Sequence, residues 1–91
     1  METELNRAGQ PPRILVFDLC PLFREALAER IRSGSAVFCT TVSDAGAVTH
    51  AVAENGITCA LIDLDAGTAA LEILERIKNF YPQCRCAMMT T

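Results

Sequence analysis

Three residues in this chain have the type and the placement to do chemistry: Asp18, Asp63 and Thr90. Each lies at the end of an apolar run. Arg13 to Phe17 stops at Asp18, "ITCALID" closes on Asp63, and "CRCAMMTT" brings Thr90 to the corresponding place. Two carboxylates held side by side need a cation between them, or one must take up a proton. A hard divalent cation such as Mg²⁺ suits oxygen ligands and often uses one or two carboxylates plus waters. A carboxylate beside such a cation can attack a phosphoryl group, because the metal offsets charge gathering on the oxygens. A hydroxyl such as Thr90 can then hydrogen-bond the new phosphoryl oxygens. The plainer reading is that Asp18 and Asp63 cap helix starts or turns. Spacing alone leaves both open.

The elements that must position these residues alternate along the chain. Residues 1–12 read as a flexible leader ending in Pro11-Pro12. Arg13 to Phe17 is a short continuous apolar run, the pattern of a strand covered on both faces. Pro21 suits a first helical position, where its missing N–H has no partner to lose. Phe23, Leu27 and Ile31 then recur every four residues, with charged residues on the other faces, as far as Ser33-Gly34. "AVFCTTV", Ala36 to Val42, is β-branched and aromatic and predicts a second strand. Ser43 is placed to cap a helix bearing Ala45, Val48, Ala51 and Val52, which Asn55-Gly56 ends. Ile57 to Asp63 is the third strand, and Leu64 to Thr68 a turn. Ala70, Leu71, Ile73, Leu74, Ile77, Phe80 and Tyr81 mark a helix from Ala69 that Pro82 halts. Cys84 to Thr91 begins a fourth strand. Alternating strands and helices with short connections predict an α/β fold, a doubly wound parallel sheet with helices on each side. In such sheets functional groups collect at the carboxyl ends of the strands. Asp18, Asp63 and Thr90 all sit at such ends.

Composition narrows the function classes. The chain has 91 residues, enough for one domain, and 51 % of them are hydrophobic, enough for a core. The net charge is −3 and the basic residues are scattered, so direct nucleic acid binding by this chain is not expected. No apolar stretch approaches the roughly 18 residues of a membrane span, and the polar start lacks a signal-peptide layout. A cytoplasmic location is expected. The five cysteines are odd in number and contain no CxxC, and His50 is the sole histidine, so a zinc site with its about four convergent ligands is not expected. Cys39, Cys59 and Cys86 fall inside strand-like runs and read as small buried hydrophobes.

"ILVFDLCPLFREAL" resembles the opening of a bacterial two-component response-regulator receiver domain, especially of the LuxR/NarL-type regulators, which commonly have two acids, His and Pro before Leu-Phe-Arg-Glu. "CALIDLD" followed by "ALEILERIK" resembles that family's third strand and the helix beyond. "MMTT" resembles the end of its fourth strand. The resemblance spans residues 13–91, a truncated receiver-like domain behind the leader. It implies a flavodoxin-like receiver fold with strand order 2-1-3-4. It also implies that Asp63 matches the phosphoacceptor, Asp18 the first acid of an Mg²⁺-binding pair with Asp63, and Thr90 the switch hydroxyl. The departures carry as much information. Leu19 stands at the second acid position, and Cys20 stands where His is usual. The turn "LDAGTAA" is about a residue short and lacks the usual Pro, and Asp65 is a candidate substitute carboxylate. Removing a ligand carboxylate from a charge-stabilised transfer can cost several kcal/mol, so Leu19 marks a degenerate acid site.

The family's fifth strand, with its phosphate-contacting Lys, and its last helix have no counterpart in this sequence. A sheet of order 2-1-3-4 then leaves its last strand as an open edge with apolar surface beside it. The expectation is a protein partner: self-association, another regulator, or a sensor histidine kinase. The functional expectation is a degenerate, non-enzymatic receiver domain acting in signal transduction and transcription control by protein contact, with phosphorylation weak or absent. The alternative is a phosphorylatable receiver taking a phosphoryl group at Asp63 with Mg²⁺. A small hydrolase using Asp18 and Asp63 has no evident base or substrate pocket.

Overall fold

The computed structural model describes residues 11–34 and 37–90. The expected leader lies almost wholly outside them, as do Ala36 and Thr91. The elements run β1 (Arg13–Phe17), α1 (Pro21–Gly34), β2 (Phe38–Val42), α2 (Val48–Asn55), β3 (Cys59–Asp63), α3 (Thr68–Phe80) and β4 (Arg85–Met89). Single 3₁₀ turns, Ala45–Ala47 and Leu64–Ala66, precede α2 and α3. All strand pairs are parallel, in the order β2-β1-β3-β4. The expected doubly wound α/β sheet with strand order 2-1-3-4 is what forms.

Pro21 does open α1, and Arg24 N–H closes its first turn on the Cys20 carbonyl at 2.9 Å. Gly56 takes the left-handed conformation (φ 59°), and the N–H groups of Gly56 and Ile57 both return to the Val52 carbonyl. That use of Ile57's N–H is why β3 starts at Cys59 and not at Ile57. The cap expected at Ser43 belongs to its neighbour. Asp44 is extended (φ −116°, ψ 121°) and its Oδ1 accepts the Gly46 N–H at 3.3 Å, so the chain enters α2 through a 3₁₀ turn.

Side chains of successive strand residues alternate between two unequal faces. On one face Leu15, Phe17, Ala60 and Ile62 pack beneath α2 and α3 with Val48, Val52, Ala70, Ile73 and Ile77. On the other, α1 alone covers Val16 and Cys39 through Ala28, with Ile14, Leu27, Ile31, Leu61 and Met89 partly buried around them. α1 buries its Leu27–Ala28–Ile31 side but leaves Phe23 exposed, and α3 leaves Leu71 and Phe80 exposed although all three fit the apolar pattern. Among the described residues no helix follows β4, and these three side chains stay exposed.

Candidate functional site at the carboxyl ends of the strands

The parallel ladder sets the site. Phe17 is paired with Ile62 across β1 and β3, so the residues that follow, Asp18 and Asp63, leave the sheet at the same level. Both are buried, at 6 % and 7 % exposed. The β1–α1 loop folds over them, and Leu19 N–H points at Asp63 Oδ2 from 3.4 Å. Asp63 Oδ1 accepts the Asp65 N–H at 2.9 Å, which starts the 3₁₀ turn Leu64–Ala66. Asp18 Oδ1 likewise accepts the Cys20 N–H at 2.8 Å, two residues on. Each carboxylate therefore has a local capping role, and Asp63 also ties two loops together.

The structure brings Asp18 and Asp63 together and sets Thr90 beside them but not on them. Asp63 pairs with Met89 across β3 and β4. Thr90, one residue further, hydrogen-bonds Asp65 Oδ1 at 3.5 Å. Asp65 is exposed on the rim, bonded through its amide to Asp63 and through its carboxylate to Thr90. Leu19 has its backbone in the site and its side chain turned out, 56 % exposed. A hard cation at this place would be held by Asp18 and Asp63, whose remaining lone pairs are still available. Leu19 offers it nothing.

The spacing of Phe23, Leu27 and Ile31 puts Arg24 among the charged residues on the outer faces of α1. Its side chain is instead only 13 % exposed and lies between Glu25 Oε2, 3.2 Å from Nε, and the Asp18 carbonyl, 2.9 Å from Nη1. Glu25 Oε2 in turn accepts from Thr41 Oγ1 on β2 at 3.2 Å. Side chains in a helix's first turns lean back toward its N-terminus, and that lean, applied at Arg24, is the signal that aims its guanidinium at the end of β1.

Cys39, Cys59, Cys84 and Cys86 lie away from this site, whereas Cys20 sits in the β1–α1 loop and donates its backbone N–H to Asp18. Burial pushes Cys84 up to about 11, with Cys86 and Cys59 adding to the effect, and burial likewise raises Cys39, Cys59 and Cys86. Among the described residues no three side chains of the metal-ligating types are grouped to hold an ion. Cys39 is buried as expected, whereas Cys59 and Cys86 are half-buried, Cys86 at the margin of the cluster beneath α2 and α3.

The class that fold and site define is a four-stranded, receiver-like member of the flavodoxin-like sheets, with two acids at adjoining strand ends. A response regulator from Thermotoga maritima, known from a crystal structure, matches the chain with a TM-score of 0.77 at 15 % identity, over 89 % of this chain and 67 % of that one. No protein-family model matches the chain, and no curated protein matches it. No helix among the described residues is long and apolar enough to cross a membrane.

Proposed function

We propose that this chain is a degenerate receiver-like signalling module, of the kind attached to LuxR/NarL-type regulators, that works by protein contact without depending on phosphorylation. The observation that carries the reading is the state of Asp63. Both its oxygens accept backbone N–H groups, from Leu19 and Asp65, and the residue beside Asp18 is leucine. An acid so engaged serves the fold while keeping lone pairs open, and the carboxylate missing at Leu19 is what makes the site bind a divalent cation less tightly. In this reading the module is cytoplasmic and non-enzymatic, and its output in transcription runs through the protein it contacts.

A second reading is favoured by one observation: Asp18 and Asp63 are both buried at neighbouring strand ends. There Asp63 takes a phosphoryl group from a sensor histidine kinase, with Mg²⁺ held by Asp18 and Asp63 to offset the charge on the transferred oxygens. Amide-resolved NMR separates the two. Spectra are recorded alone, with Mg²⁺, and with Mg²⁺ plus beryllofluoride as an aspartyl-phosphate mimic. The expected spectrum ignores both additions, and the Leu19→Asp variant regains an Mg²⁺ response. Shifts at Asp18, Asp63, Leu64 and Thr90 in the unaltered chain would establish the second reading and sink the first.

A further inference from the structure

Two cysteines stand apart from the acid site, toward the amino ends of the strands. Cys84 closes the turn that leads into β4. Its N–H donates to the Tyr81 carbonyl at 2.9 Å, and the next N–H, of Arg85, donates to the Thr58 carbonyl at 2.9 Å. Cys86 sits in the β3–β4 ladder opposite Ala60. Cys84 and Ala60 both belong to the cluster beneath α2 and α3, and Cys86 packs against it, so the two thiols share one face. They are hydrogen-bonded to each other, and Cys84 Sγ also lies 3.7 Å from the Arg85 carbonyl oxygen. Cys59 is near, but it is paired with Arg85, and strand alternation turns its side chain to the other face. The place therefore offers two sulfurs on a backbone fixed at both ends. Among the described residues no third ligand is grouped with them.

We infer that Cys84 and Cys86 form a binding site for one soft monovalent metal ion, of the copper(I) class, held between the two sulfurs. Thiolate sulfur is a soft ligand and selects soft cations. A tetrahedral zinc site takes about four ligands, whereas a singly charged ion with a filled d shell is satisfied by two thiolates in line. The cluster around the pair is apolar, and a two-coordinate ion brings no water that would need hydrogen bonds there. Loading breaks two S–H bonds and forms two S–Cu bonds. Both protons leave to solvent and no electron is transferred. The hydrogen shared between the sulfurs is replaced by an ion at the same place, so the fixed backbone need move little. A disulfide is the poorer use of this pair. Burial pushes the Cys84 thiol up to about 11 and raises Cys86 as well, so neither is a ready nucleophile toward an oxidant. A metal ion instead displaces the protons as it binds.

The test titrates the full chain with Cu(I), kept reduced by ascorbate, against the chromogenic chelator bicinchoninate. The chain is expected to take one ion from the chelator. Cys84→Ala and Cys86→Ala are each expected to weaken binding by at least about a hundredfold, since either leaves a single sulfur. A triple variant, Cys20→Ser with Cys39→Ala and Cys59→Ala, keeps the pair alone and is expected to bind as the parent does. The single variants decide the matter if the triple one does not fold. An ion held by the folded chain raises the urea midpoint on loading, and Cys86→Ala is expected to abolish that rise. X-ray absorption at the copper edge is expected to show two sulfur neighbours. A parent chain that takes no ion from the chelator overturns the proposal, as do single variants that bind like the parent. Three or more sulfurs around the copper overturn it too, and so does a urea midpoint that falls on loading, because the ion is then bound by the unfolded chain. The inference draws nothing from the protein-contact reading, and the NMR response to Mg²⁺ concerns other residues, so either can fail while the other stands.

Discussion

Leu61 and Ile62 are neighbours on β3, yet they belong to different proteins in energetic terms. Ile62 points to the face closed by α2 and α3 and has no exposed surface, in a cluster that includes Phe17, Val48, Val52, Ile73 and Ile77. Leu61 points to the face that α1 covers only over β1 and β2, and it stays half-buried beside Met89. Among the described residues the sheet is thus covered on one side and half-covered on the other. The closed side supplies stability and holds Asp18 and Asp63 level. The half-covered side leaves Leu61 and Met89 partly exposed.

The comparison is broken most severely at Ile62. Ile62→Ala deletes fully buried methyl and methylene groups between two helices and the sheet, where the surroundings have little room to collapse. The expected loss is about 2 to 5 kcal/mol, read as a fall in the urea midpoint without a change in slope. In a chain of 91 residues, with modest total stability, that is enough to leave much of the protein unfolded. A loss below about 1 kcal/mol would mean that the closed face is not the folding core.

The thiols sharpen the contrast through pH. Cys84 sits on the closed face, and burial, followed by Cys86 and Cys59, raises it from 9.0 to about 11. The neutral thiol is therefore favoured in the folded chain. The stabilisation is complete below pH 9, where an unfolded cysteine is also neutral, and it is lost as the pH rises through about 11. Urea midpoints are expected to fall across that window, and Cys84→Ala should flatten the fall. On the α1 face Cys39 is raised too, but the Arg32 guanidinium opposes the effect of burial, so Cys39→Ala should flatten it less. Equal effects would remove the distinction between the faces at these positions.

Much of this was legible in the residues because it depends on short-range pattern. Continuous apolar runs ending in Asp18 and Asp63 are enough to predict parallel strands and to put both acids at one end of the sheet. Pro21 and Gly56 mark helix ends through backbone restrictions that act locally. Arg24 escaped because its partner is a backbone carbonyl set by the turn of the β1–α1 loop, which no periodicity encodes. Ser43 and Asp44 are both good caps, and only the entry through a 3₁₀ turn decides for Asp44. Leu71 and Phe80 satisfy the helical pattern of α3 but lie off the Ala70–Ile73–Ile77 line that meets the sheet. Pattern shows that a side chain is apolar; the presence or absence of a neighbouring element decides whether it is buried.

The smallest effect is the one that tests the half-open face most closely. Leu61→Ala removes the same number of carbon atoms as Ile62→Ala, one residue away on the same strand, so backbone pairing is matched and the β-branching of isoleucine is the one intrinsic difference. What differs is the surroundings: Leu61 already exposes part of its side chain, and truncating it leaves a dent open to water instead of an enclosed cavity. The expected loss is about 1 kcal/mol, from the apolar area that Leu61 does bury against the α1 side. A loss as large as that of Ile62→Ala would mean that the α1 face is closed in solution. The next measurement would then repeat Leu61→Ala at several protein concentrations, because a face closed by a second copy makes that loss grow with concentration, whereas a face closed within the chain does not.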